Sequence, residues 1–164
     1  MWGDLGSWIA DKLLAPAIVA SIFSWILLLV AEGHRARREA LSKQVETVRN
    51  DILTMWTLAC DYWSRDASAN PEDEILAERI LLAEQDLRYS AMELVPSLSG
   101  YISDTEMAGL VADVSRAVTS GSFGEPDRPK DLSRLRSLRS ATVVMRDRLL
   151  TARNARLRVT FRLH

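Results

Sequence analysis

LSKQVETVRNDILTMWTLACDY, residues 41–62, places apolar side chains at Leu41, Val45, Val48, Ile52, Met55, Ala59 and Tyr62. The spacing alternates steps of four and three, which is the repeat of one apolar seam on an α-helix. No proline interrupts it, and the i, i+4 series Arg35, Glu39 and Lys43 extends the helical pattern upstream, so a helix is expected over about 32–64. Gly33 is the one residue in that run expected to loosen it, at about 1 kcal/mol relative to alanine.

Downstream of this seam three more helices are expected. Asn70-Pro71 followed by Glu72, Asp73 and Glu74 is a helix start, because proline suits the first turn and carboxylates suit the positive end of the helix dipole. Leu76, Ile80, Ala83, Leu87, Ala91 and Leu94 form its stripe, which ends near Val95-Pro96. Ser103-Asp-Thr-Glu106 fits a capping box and opens a third helix to about Ser120, with Met107, Leu110, Val111, Val114 and Val118 facing inward. The stretch 120–129 holds two glycines and two prolines, a composition that predicts a mobile loop. A fourth helix then starts near Lys130-Asp131 and presents Leu132, Leu135, Leu138, Thr142, Met145, Leu149 and Ala152. Four amphipathic helices with short connections most simply form an up-and-down bundle.

Upstream, LLAPAIVASIFSWILLLVA, residues 13–31, runs nineteen residues without a charge. At 1.5 Å per residue it spans roughly 28 Å, close to the ~30 Å hydrocarbon core of a bilayer. Asp4 and Asp11 replace the basic start that a cleavable signal peptide needs, so the segment is expected to remain attached. Arg35, Arg37, Arg38 and Lys43 follow it and only Lys12 precedes it, which by the positive-inside rule sets the body in the cytoplasm and the N-terminus outside. The expected fold is therefore all-α: a short interfacial segment (1–12), a single transmembrane helix (13–31), a cytoplasmic helical bundle (32–156) and a basic amphipathic tail (157–164). An apolar span followed by an arginine-rich helix resembles the general pattern of small bacterial inner-membrane proteins. That pattern transfers no activity.

The net charge of −1 conceals two opposed parts. Residues 1–127 carry 10 Lys+Arg and 20 Asp+Glu, whereas residues 128–164 carry 11 Lys+Arg and 2 Asp. Such segregation either serves an anionic partner or pairs with the chain's own acidic part. With an even number of helices, the C-terminal arginines are expected to return to the bilayer. Arg153, Arg156, Arg158 and Arg162 would then meet lipid headgroups beside Arg35, Arg37 and Arg38. Self-association is expected along the small residues Ala17, Ser21 and Ser24 of the span and along Leu41, Val48 and Met55 of the first seam. The tail 157–164 alternates apolar and polar residues and is read as a continuation of the fourth helix in preference to a strand added to a partner.

Catalytic patterns are absent from the sequence. There is no glycine-rich phosphate loop and no His-Glu-x-x-His, and the two histidines, His34 and His164, stand apart. No catalytic residue, metal site or cofactor is therefore expected. Cys60 reads as a packing thiol, Met55-Trp56 and Tyr62-Trp63 as packing aromatics, and Glu74/Glu78 as a solvated face. The expected function is non-enzymatic: a single-pass anchored bundle acting through protein contacts, with membrane lipids, a second copy and an unidentified protein as partners. A membrane-perturbing toxin or defence protein that oligomerises through its span is the second reading. A tethered nucleic-acid-binding module, using the arginines of the fourth helix, is the third and least favoured.

Overall fold

The computed structural model describes residues 15–67 and 71–159, with side chains of 15–20, 71 and 159 left aside. Among the described residues four α-helices follow one another: α1 (Ala15–Trp63), α2 (Pro71–Leu94), α3 (Asp104–Thr119) and α4 (Leu132–Val159), with a 3-10 turn at Val95–Leu98. No strand occurs among the described residues. The chain divides into two compact units, residues 1–40 and 41–164.

The second unit is a helical bundle in which sequence neighbours run in opposite directions. Ser90 Oγ donates to Asp51 Oδ2 (2.5 Å) and Ser97 Oγ pairs with Gln44 Oε1 (2.7 Å), so α2 descends as α1 rises. Arg148 meets Glu106 and Arg134 meets Ser120, which sets α4 antiparallel to α3. Asp131 N donates to the carbonyl of Trp63 (3.2 Å), so α4 begins beside the end of α1 and runs back along it.

The periodic residues form the core. Leu41, Val45, Val48, Ile52, Met55, Ala59 and Tyr62 are buried, as are Leu76, Ile80, Ala83, Leu87, Ala91 and Leu94 of α2. Met107, Val111, Val114 and Val118 of α3 join them, with Leu138, Met145, Leu149 and Ala152 of α4. Burial of a large apolar side chain contributes about 1.5–3 kcal/mol, so this cluster is the main source of stability. Leu132, expected inward, is instead 49% exposed: it is the first residue of α4, where Asp131 dictates the geometry. The Asp131 carboxylate accepts from Ser133 N, Ser133 Oγ and Arg134 N, an N-cap arrangement. These donors, Ser133 Oγ foremost, hold the Asp131 carboxyl below its ordinary range.

Of the two longer connections in the bundle, one joins the core and the other departs from what composition suggested. The 95–102 segment contributes Val95, Leu98 and Ile102 to the core. The loop 120–129, expected to be mobile, is instead tied to the end of α1 at several points, as are Lys130 and Asp131 after it, described below. The helix start at Ser103 forms as expected on one side, with Ser103 Oγ accepting from Glu106 N (3.1 Å), while the Glu106 carboxylate turns chiefly to Arg148.

In the first unit, α1 is helical through Gly33. Among the described residues no helix is long and apolar enough to cross a membrane. The expected span 13–31 starts outside those residues, so the transmembrane helix gains no support from the fold. The segment 1–12 and the tail beyond Val159 also lie outside the described residues, and α4 continues as helix through the start of the expected tail.

Candidate functional site

Three places on the chain could carry function. The first is the apolar stretch of α1. Every residue from Ser21 to Val30 is exposed, and Ile22 (53%), Phe23 (64%), Trp25 (64%), Leu27 (65%) and Leu28 (60%) lead the group. These positions cover all sides of a helix, since successive residues are rotated by about 100°. Arg35, Arg37 and Arg38, the expected headgroup contacts, follow on the same helix and are exposed. Of the expected self-association residues of the span, Ser21 and Ser24 are exposed, and the Ala17 side chain lies outside the described residues.

The other half of that expectation meets a different outcome. Leu41, Val48 and Met55 are 6%, 0% and 0% exposed, in contact with the rest of the core. The seam of α1 packs against the helices of its own chain, and it is not open to a second copy. A seam with a 4-3 repeat is equally suited to both tasks; three more amphipathic helices in the same chain decide between them.

The second place is a closed polar cluster where α1 ends. Arg128 is 1% exposed, deep in a loop that composition alone would leave in solvent. Its Nη2 donates to Asp73 Oδ2 (2.9 Å) and its Nη1 to the carbonyl of Arg65 (3.1 Å). The guanidinium lies over the Tyr62 ring, 3.8 Å from the centroid, and 5.1 Å from that of Trp63. Around it, Tyr62 Oη accepts from Gly124 N (2.8 Å), Trp63 Nε1 donates to the Val118 carbonyl (3.0 Å), and Ala67 N donates to the Arg128 carbonyl (2.9 Å). Gly124 has a φ of 82°, a left-handed turn that favours glycine and lets its N–H face the phenol. Lys130 N completes the cluster by donating to Asp66 Oδ1 (2.6 Å). Nothing here is open to a substrate. The cluster joins α1, the start of α2, the end of α3 and the loop before α4, and its role is structural.

The third place is a shallow apolar groove of about 220 Å³ between α1 and α4, lined by Ile52, Leu53, Trp56 and Val143 with Arg49 and Arg146 at its rim. Thr142 supplies the hydroxyl in its lining, and no carboxylate, imidazole or thiol joins it there. Cys60 is half-buried, and burial, with Asp61 beside it, pushes its thiol pKa up, away from the reactive thiolate. No group of three His, Cys, Asp or Glu side chains able to hold a metal occurs among the described residues.

The basic segment holds arginines in ion pairs and others exposed on α4. Arg128 pairs with Asp73, Arg134 with Asp131, Arg146 with Asp147 and Arg148 with Glu106. Arg136 and Arg139 are exposed on α4. Towards the end of the helix, Arg153 is half-buried and bonds Asn154 Oδ1 (3.2 Å), Arg156 and Arg158 are exposed, and Arg162 lies outside the described residues. Since α4 runs back along α1 from Trp63, residues 153–158 stand at the end of the bundle where Leu41 enters it.

Sequence reasoning found the core stripe of α2 and missed a second one. Ile75 (55%), Leu82 (60%) and Tyr89 (71%) recur every seven residues on its exposed side, flanked by Leu81 (44%) and Met92 (37%). A test for two opposed apolar stripes on one helix would have found it. Comparison with protein families, with curated proteins and with solved structures finds no match to this chain.

Proposed function

We propose that the chain is a non-enzymatic, single-pass membrane-anchored helical bundle that acts through protein contacts, with its N-terminus outside and its body on the cytoplasmic side. The observation that carries this reading is the exposure of Ile22 to Val30 on every side of α1. A protein partner covers one face of a helix, whereas lipid covers all of them. The uncharged run over 13–31 has the length of a hydrocarbon core, and Arg35, Arg37 and Arg38 follow it at the depth where basic residues meet headgroups. Arg156 and Arg158, at the end of the bundle where the chain enters, would add to attraction for anionic lipid at about 1 kcal/mol each.

The test is alkaline carbonate extraction of membranes from cells expressing the full chain. Wild type stays in the membrane pellet, and the Ile26→Arg/Leu29→Arg variant is released, because each arginine near the centre of a span costs about 3 kcal/mol on insertion scales. Release of the wild type into the carbonate supernatant would overturn the reading.

A further inference from the structure

The outer side of α2 is apolar for a reason the bundle does not supply. At about 100° per residue, Leu76, Ile80, Leu87 and Leu94 point to one side of the helix and Ile75, Leu82 and Tyr89 to the opposite one. The first set is buried in the core and the second stands 55%, 60% and 71% exposed. With Ile75, Leu82 and Tyr89 at one seam position of a heptad, Glu78, Gln85 and Met92 take the other. The residues flanking this seam are then Glu74, Leu81 and Arg88 on one side and Arg79, Asp86 and Glu93 on the other.

We propose that a second copy of this chain covers this face, with the two α2 helices parallel about a two-fold axis. The charges select that occupant. In a parallel pair a residue on one flank meets the residue five positions further on in the other helix. Glu74 then meets Arg79 of the second copy, and Arg88 meets Glu93 of the second copy, each contact occurring twice by symmetry. Glu74, Arg79 and Glu93 form no ion pair within their own chain among the described residues, and Arg88 has only an exposed one, to Glu84 at 3.4 Å. The apolar positions meet their own counterparts: Ile75 with Ile75, Leu82 with Leu82, Tyr89 with Tyr89. Glu78 and Gln85 likewise meet their own counterparts and interrupt the seam, and the Glu78 pair sets like charges together near its start, which costs stability. The interface uses only α2, so it holds independently of the anchoring reading; a membrane would add only the confinement that raises effective concentration.

The experiment uses the full chain in detergent micelles, with sedimentation giving the protein mass and circular dichroism confirming the fold. Wild type sediments as a dimer, and Leu82→Asp weakens the dimer at least about tenfold with helicity unchanged, since it sets an unpaired charge against its own counterpart in the apolar seam. Tyr89→Cys in a Cys60→Ala background crosslinks to its own counterpart on oxidation. Glu74→Arg alone weakens the dimer by setting like charges together, and Glu74→Arg with Arg79→Glu restores it. A monomeric wild type, a dimer indifferent to Leu82→Asp, or no crosslink at position 89 would overturn the proposal. So would failure of the double exchange to restore the dimer, because antiparallel helices would set residue 74 against Arg88 and residue 79 against Asp86. Loss of anchoring in carbonate extraction leaves every one of these readouts in place.

Discussion

Arg128 and Arg148 hold opposite ends of the bundle, and the same side chain does different work at each. The Arg128 side chain is fully covered, and water is replaced by Asp73, the Arg65 carbonyl and the Tyr62 and Trp63 rings. Arg148 makes the better-shaped ion pair, with Nε and Nη2 on the two oxygens of Glu106 (2.5 and 3.1 Å) and Nη2 on the Tyr101 carbonyl (2.6 Å). Yet its side chain is 34% exposed and that of Glu106 37%. Solvent screens the second pair more than the first, whose covered guanidinium loses its hydration and keeps its Nε without a hydrogen-bond partner, so that removing either member strands the other. Fork geometry therefore does not rank the two ends; burial does.

The largest expected effect follows from removing the covered cation. Arg128→Ala leaves Asp73 with only the longer contact to Arg65 (3.6 Å), removes the cation from two aromatic faces, and takes away the side-chain hydrogen bond to the Arg65 carbonyl, while the ties of Gly124, Lys130 and Asp131 to the end of α1 remain. A loss of about 3 kcal/mol is expected, read as a fall of about 10 °C in the thermal midpoint of the full chain. Arg128→Lys keeps the charge but cannot reproduce the planar stack or both hydrogen bonds, so it recovers only part of the loss. A midpoint unchanged by Arg128→Ala would place the weight of this end on the aromatics alone.

A middle effect is expected from Trp63→Phe. The smaller ring deprives the Val118 carbonyl of its buried indole donor and leaves a gap beneath Arg128, for about 2 kcal/mol by the same measurement. Combined with Arg128→Ala the two losses should fall short of their sum, because both dismantle one cluster. Strict additivity would show that Trp63 acts through α3 and not through the cation.

Much of the fold was legible because the bundle is built from local repeats. The positions that the 4-3 spacing marks on α1 and α2 are buried, joined on α1 by Leu58 and Trp63, which it does not mark, and Ser103 caps α3 as the Ser-x-x-Glu pattern requires. The Arg128 cluster was illegible for the opposite reason. Tyr62, Asp73, Gly124 and Arg128 are scattered along the chain, and proximity in space carries no local pattern. A glycine- and proline-rich loop reads as mobile until its buried arginine and its hydrogen bonds to the end of α1 are known. The span 13–31 and the outer stripe of α2 lie between these cases. Their composition is plain in the sequence, but a periodicity that marks an apolar surface does not tell whether its own chain, lipid or another copy covers it. Leu41, Val48 and Met55 show the same ambiguity: their spacing suits self-association, and in the fold they are buried in the core of their own chain.

The smallest effect sharpens the contrast between the two arginines through pH. The Arg148 hydrogen bond, its charge and the Ser103 N–H hold the Glu106 carboxyl below its ordinary range, and Glu106 in turn raises the pKa of Arg148. A carboxyl whose pKa is lowered on folding stabilises the fold above its unfolded pKa, and that contribution fades as pH falls through the lowered, folded value. Glu106→Gln should therefore reduce the thermal midpoint modestly near pH ~7, with the difference from wild type closing as the pH is taken to about 3. The Arg128→Ala deficit should outlast it over the same titration, since the Arg65 carbonyl and the Tyr62 and Trp63 rings hold that cation without titrating. If both deficits closed together, the Arg128 end would rest on its carboxylate, and burial would have lost its claim to rank the two.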